Sequence, residues 1–326
     1  MTSLALQNLL SPAVLFFLLG LIASWVRSDL AIPEAVARFL ALYLLLSIGF
    51  RGGAEVAHQG PSLVLIATVC AGVLLSFGIP FIANALLRTV TQLKPADRAS
   101  IAAHYGSISA VTFVAATGVL TQMGIPFDGF MVAVAAAMET PAIFAGLLMA
   151  RWGVESKAEA ASNRGTPFLR EIFFNGSILV LVGAFVIGML TGSRGFVSVK
   201  PFIIDAFAGF LCLFMLDMGL VAGRGLRQGW RNLKPPLIAF ALVMPFVGGS
   251  VAALISLAIG LSAGSAAILI TLAASASYIA VPAAMRLALP EANAALALTL
   301  SLGVTFPFNL LVGIPLYIGV ATKIVS

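Results

Sequence analysis

Apolar runs long enough to cross a bilayer follow one another along nearly the whole of this 326-residue chain. A spanning helix needs about 20 mainly apolar residues. Ten such windows are legible: 11–27, 31–53, 61–87, 99–123, 128–150, 171–192, 200–222, 235–260, 263–286 and 292–321. With 61% hydrophobic and 9% charged residues, the chain does not have the make-up of a soluble globule. The expectation is an all-α integral membrane protein of ten transmembrane helices.

The first window is expected to stay in the membrane, because residues 1–12 hold no Lys or Arg and so no basic region precedes it. Cys70 and Cys212 fall in apolar windows far apart in sequence, which reads as two small core residues rather than a disulfide or a metal site. Of the 18 basic residues, all but Arg51, Arg194, Lys200 and Lys323 fall in the odd-numbered loops or at their edges. The positive-inside rule then puts those loops in the cytoplasm and both termini outside. Basic residues scattered through short loops also argue against nucleic-acid binding.

The longest polar stretch, RWGVESKAEAASNRGTPFLRE, lies near the midpoint. It divides the chain into a first repeat (1–150), a cytoplasmic linker (151–170) and a second repeat (171–326). Short matches support two related halves. LSIGFRGG (46–53) pairs with LDMGLVAG (216–223) at an offset of 170. Ser107-Ile-Ser109 pairs with Ser275-Ala-Ser277 at 168, and Glu139-Thr-Pro141 with Thr305-Phe-Pro307 at 166. Five helices is an odd number, so the second half enters the membrane from the opposite side. That is an inverted repeat, an architecture with its substrate site near the bilayer midplane.

Small hydroxyl residues mark the place where helices of the two halves would break. The fourth window holds Ser107, Ser109 and Thr112 after Gly106; the ninth holds Ser275, Ser277 and Tyr278 ahead of Pro282. Breaks there would aim free backbone N–H groups at the midplane, where they can hold an anion without a full positive charge. The alternative is that these hydroxyls only join helices. Glu139 sits inside the apolar run 127–150, beside Pro141, and a carboxylate in that position should face protein or water. Glu139 and Thr140, with Thr305 and Asn309 around Pro307, offer oxygens suited to a hard cation such as sodium. A proton on Glu139 is the competing reading. Asp217 either lines a path or caps a helix end. Asp205 suits a helix start, His104 reads as a packing residue near the cytoplasmic end of its helix, and Arg286 as an interfacial anchor.

Over nearly its whole length the sequence resembles the sodium-dependent bicarbonate permeases of cyanobacteria and other bacteria. The matching stretches are AIPEAV (31–36), SIGFRGG (47–53), Gly106–Thr112, METPA (138–142), SASYIAVP (275–282), LPEANAA (289–295) and GIPLYIG (313–319). The resemblance implies ten helices in inverted repeats, a core domain working against a gate domain, and a homotrimer in the lipid bilayer of the bacterial inner membrane. It implies import of bicarbonate with sodium as coupling ion, no other cofactor, and a cytoplasmic region that adjoins the docking site of a PII-type regulatory protein. Carried across by position, Gly106, Ser107, Ile108, Ser109 and Thr112 form one part of the anion pocket, and Ser275, Ser277 and Tyr278 the other. Two positions depart from the family pattern. Tyr278 stands where the family places Asp, and Ser109-Ala-Val-Thr112 is bulkier than the family's glycine-containing run. Proton-coupled movement of another small anion therefore stays open beside sodium-coupled bicarbonate uptake. Neither an HExxH motif nor a Cys–His constellation is present, so an enzyme is not expected.

Overall fold

The computed structural model describes residues 12–59, 62–152, 176–229, 233–278, 281–282, 285, 289 and 291–325. Its helices are α1 (Pro12–Trp25), α2 (Glu34–Gln59), α3 (Leu63–Val90), α4 (Pro95–Gly106), α5 (Ala110–Gln122), α6 (Met131–Ala137), α7 (Pro141–Trp152), α8 (Gly176–Lys200), α9 (Phe207–Gly229), α10 (Pro235–Ile259), α11 (Ala263–Ala273) and α12 (Ala294–Val325). No strand occurs among the described residues. Eight helical stretches are long and apolar enough to cross a bilayer, with α4–α5 and α6–α7 each forming one stretch; α1 and α11 are shorter apolar helices. The expected linker lies outside the described residues, apart from the two that end α7.

Local chemistry sets the helix ends. Ser62, Ser109, Ser262 and Asn293 each accept a backbone N–H from the first turn of the helix they precede, satisfying a donor that has no intrahelical acceptor. Pro95 and Pro235 open α4 and α10, where a missing N–H costs nothing. Gly260 ends α10 at φ 76°, a left-handed conformation that suits glycine.

The most buried stretch is α4–α5, with α11 crossing it and α3, α7, α10 and α12 around the pair. To one side, α1 packs on α9 and α2 on α8. Both crossings depend on bare backbone. A Cβ on Gly20 would collide with the Leu216 carbonyl and one on Gly219 with the Phe17 carbonyl; likewise Gly188 meets Phe50 and Gly53 meets Phe185. The two crossings correspond residue by residue. Phe17, Gly20 and Leu21 map to Phe185, Gly188 and Met189 at an offset of 168. Phe50, Gly53 and Ala54 map to Leu216, Gly219 and Leu220 at an offset of 166. The sequence pairing of 46–53 with 216–223 is therefore one helical turn out of register: Gly53 corresponds to Gly219, not Gly223. Small residues recur every four positions here, so the letters matched equally well a turn away.

A second pair of contacts repeats the same relation. The Asn293 N–H donates to Asp97 Oδ1 at 2.7 Å, and the Asp128 N–H donates to Ser265 Oγ at 2.9 Å.

Around Pro307, α12 stays helical and widens into π-turns over Thr299–Thr305 and Asn309–Gly313. A π-turn carries the chain past a proline that donates no hydrogen bond. His104 lies two residues before the end of α4, next to the helix break rather than near the cytoplasmic end. Cys70 is exposed on the outer face of α3 and Cys212 is half-buried, so neither is a core residue. Arg286 lies outside the described residues.

Candidate functional site

Two helices break where the hydroxyl clusters fall. α4 stops at Gly106, whose missing side chain leaves room for Pro80 of α3. Ser107 (φ −90°, ψ 144°) and Ser109 (φ −100°, ψ 112°) are extended, and Ser109 Oγ accepts the Thr112 N–H at 3.1 Å to start α5. α11 stops at Ala273, and residues 275–277 are likewise non-helical. The breaks cross and satisfy each other. The Ser109 N–H donates to Ser275 Oγ at 2.9 Å, and the Ser277 N–H donates to the His104 carbonyl at 2.7 Å. Groups orphaned at the helix ends thus find partners on the opposite break, which keeps irregular backbone tolerable inside a membrane protein.

A third break separates α6 from α7 at Met138–Thr140. Pro141 supplies no N–H, and Ser76 of α3 repairs the gap. Its hydroxyl donates to the Met138 carbonyl at 2.6 Å and accepts the Ala142 N–H at 3.2 Å. Ser107 Oγ donates to the Glu139 carbonyl at 2.9 Å, tying this break to the first. On the far side, Asn309 Nδ2 donates to the Ala274 carbonyl at 2.8 Å, and Asn309 Oδ1 accepts the Tyr317 hydroxyl at 2.8 Å.

A cavity lies against the crossing. Its walls are Ile108, Ser109, Ala110, Val111 and Val114 of the first break and α5, Glu139 of the third break, and Ser277 and Tyr278 of the second. Ala41, Leu44 and Leu45 of α2 and Phe214 of α9 close the opposite side. The centre of a water-sized sphere has about 30 Å³ to move in, room for roughly two or three waters or one solute of a few heavy atoms. The amino end of α5 forms part of the wall, and the Ala110 and Val111 N–H groups are there without intrahelical acceptors. Among the described residues the Thr112 hydroxyl is buried without a hydrogen-bond partner, and the Tyr278 hydroxyl has no well-formed one, with the Ser109 side chain beside it. Glu139 is only 6% exposed, and among the described residues its carboxylate makes no hydrogen bond or ion pair. No Lys or Arg among the described residues lines the cavity.

Five of the residues singled out from sequence therefore share one cavity: Ile108, Ser109, Glu139, Ser277 and Tyr278. Gly106, Ser107, Thr112 and Ser275 build the breaks behind it. Thr140, Thr305 and Asn309 are not among the lining residues. Thr305 Oγ1 donates to the Ala241 carbonyl at 2.9 Å and meets the Tyr105 hydroxyl at 2.7 Å, so its oxygen, like that of Asn309, is engaged by protein. The α2 and α9 residues of the opposite wall were not anticipated; as plain apolar residues they carry no local signal. His104 Nδ1 lies 2.7 Å from the Ser100 carbonyl, while its Nε2 and the Ser100 hydroxyl are buried without partners. Residues Gly260-Leu-Ser-Ala-Gly264 spell the Gly-x-Ser-x-Gly pattern of serine hydrolases. Here Ser262 caps a helix in a helix–helix turn and its hydroxyl donates to Asp128 Oδ2 at 3.1 Å, so the pattern lacks the strand-to-helix elbow that such chemistry needs.

The chain belongs to the Na+-dependent bicarbonate transporter superfamily, whose family model matches residues 12–322. It is a multi-pass membrane protein. Comparison with curated proteins finds no match.

Proposed function

We propose that the protein is a secondary active transporter that imports a small anion, bicarbonate first, together with sodium. It works by alternating access between two inverted five-helix repeats in a bacterial inner membrane, with both termini outside. The observation that carries this reading is the crossing of the two broken helices beside a small cavity that collects Ser109, Ser277, Tyr278 and the amino end of α5. Free N–H groups and the positive end of the helix dipole attract an anion, and hydroxyls orient it. A cavity of this size favours an anion of about four heavy atoms over a larger organic acid.

Charge balance supports sodium as the coupling ion. An anion entering this cavity meets the Glu139 carboxylate and no basic side chain. A sodium ion held by Glu139 neutralises one of the two negative charges and removes the repulsion between carboxylate and substrate, so anion and cation bind better together than apart. Thr305 and Asn309 serve in this reading as tethers of α12 rather than as sodium ligands. A second reading is favoured by Tyr278, a neutral hydroxyl where the family places Asp: a proton on Glu139 balances the charge instead, and the substrate is another small anion.

Uptake of radiolabelled bicarbonate into proteoliposomes distinguishes the two. An inward sodium gradient should drive accumulation, and Glu139→Gln should lower sodium-driven uptake by roughly tenfold or more, a loss of at least about 1.4 kcal/mol in coupling. No sodium-driven bicarbonate uptake, together with uptake of another small anion such as radiolabelled formate that follows a proton gradient, selects the second reading.

A further inference from the structure

The crossings of α1 with α9 and of α2 with α8 correspond residue for residue, so equivalent positions in α2 and α9 can be compared directly. Phe50, Gly53 and Ala54 hold the places of Leu216, Gly219 and Leu220. Arg51 therefore corresponds to Asp217. At equivalent stations on the two helices that close the cavity, the chain carries opposite charges.

Neither charge is neutralised by a close partner. Arg51 is exposed and makes no ion pair among the described residues; its guanidinium carbon lies 6.0 Å from the centre of the Phe127 ring. Asp128, next to Phe127, already accepts from Ser265 Oγ at 2.6 Å and Ser262 Oγ at 3.1 Å. Asp217 is 3% exposed and among the described residues makes no hydrogen bond or ion pair; Arg224, two turns further on, is the opposite charge that acts on it. An ionisable residue held in a spanning helix without a partner points to the permeation path. Along its helix Arg51 is six residues past Leu45 of the cavity wall, about 9 Å, and Asp217 is three past Phe214, about 4.5 Å. The two displacements run toward opposite membrane faces, because α2 and α9 belong to oppositely inserted halves in the proposed transporter.

We infer that Arg51 and Asp217 make the two entry routes kinetically unequal: Arg51 draws small anions to the cavity from the outer face, and Asp217 counters the pull that Arg224 and Arg227 of the same helix exert at the cytoplasmic face. This rests on the transport reading above. Two inverted repeats alone would make the outward and inward routes equivalent. A charge of each sign at matched stations removes that equivalence, because a cleft lined by one sign of charge raises the local concentration of the opposite ion and lowers that of its own.

Right-side-out and inside-out membrane vesicles, supplied with radiolabelled bicarbonate, test this. At low ionic strength Arg51→Gln should raise the KM for bicarbonate roughly three- to tenfold at the outer face and leave the inner-face KM unchanged. Arg51→Lys, which keeps the charge, should stay near wild type. Asp217→Asn should lower the inner-face KM by a similar factor, and Asp217→Glu should not. The Arg51 effect should vanish at about 1 M salt, where screening shortens the range of a charge to about 3 Å. Equal changes of KM at both faces, or an Arg51 effect that survives high salt, would overturn the inference while leaving transport intact. Wild-type vesicles that take up no bicarbonate from either face would instead sink the transport reading, and the inference with it.

Discussion

Ser76 and Tyr278 represent opposite uses of a buried hydroxyl. Ser76 bonds both sides of the break before Pro141, so Ser76→Ala leaves the Met138 carbonyl and the Ala142 N–H unpaired in the interior. Each orphaned group costs about 1–3 kcal/mol, and thermal unfolding in detergent should show a clear loss of stability. The Tyr278 hydroxyl makes no well-formed hydrogen bond among the described residues; it sits at the wall of the cavity beside the Ser109 side chain. Tyr278→Phe should change the melting temperature little, because only a weak contact with the Ser109 side chain is lost. Anion binding by the same variant, followed by isothermal titration, should weaken by the worth of one hydrogen bond, about 1 kcal/mol. A variant that loses stability but binds normally would assign Tyr278 to packing against Phe306 instead, its ring neighbour at 5.4 Å. Glu139, the Ser107–Ser109 run and the Ser275–Tyr278 run could be picked out from sequence because a carboxylate or a cluster of hydroxyls is costly or unusual in an apolar window. Ser76 could not, since one serine in a long apolar helix looks like any other.

Among the helices, α12 holds Pro307 and Pro315, and the first of these pairs with Pro141 at an offset of 166. The helix instead widens twice into π-turns and keeps its course, which turns Asn309 toward the end of α11. Asn309 then holds the Ala274 carbonyl on one side and the Tyr317 hydroxyl on the other. Asn309→Ala should destabilise the protein by roughly 1–3 kcal/mol through the groups left unpaired. It should leave the sodium concentration for half-maximal uptake unchanged, where a sodium ligand would shift it. The sequence shows that prolines disturb both α12 and the α6–α7 stretch. Whether a helix breaks or bulges depends on neighbours that accept the freed groups, and those neighbours, Ser76 in one case and the walls around α12 in the other, are distant in the chain.

At the scale of the whole molecule, the matched glycine crossings are the feature with the most direct test. Gly53→Val and Gly219→Val each push a side chain into a partner backbone, at Phe185 and Phe17 respectively. If the halves are equivalent, the two variants should lose similar stability in detergent, and Gly188→Val should match Gly20→Val. A large loss at only one crossing would count against the repeat. The ten apolar windows, the polar midpoint, the hydroxyl clusters and the buried acid were all decided by the sequence alone, because each expresses a local cost: a charge in lipid, a proline in a helix, too many apolar residues for water. Register between the halves was not, since small residues spaced a turn apart match equally well in letters, and only backbone contact selects offset 166 over 170. The cavity was not either. Its far wall of Ala41, Leu44, Leu45 and Phe214 consists of ordinary apolar residues. Tertiary packing alone decides which apolar residues face lipid, which face protein and which enclose the space where an anion fits, because the hydrophobic effect has no direction of its own.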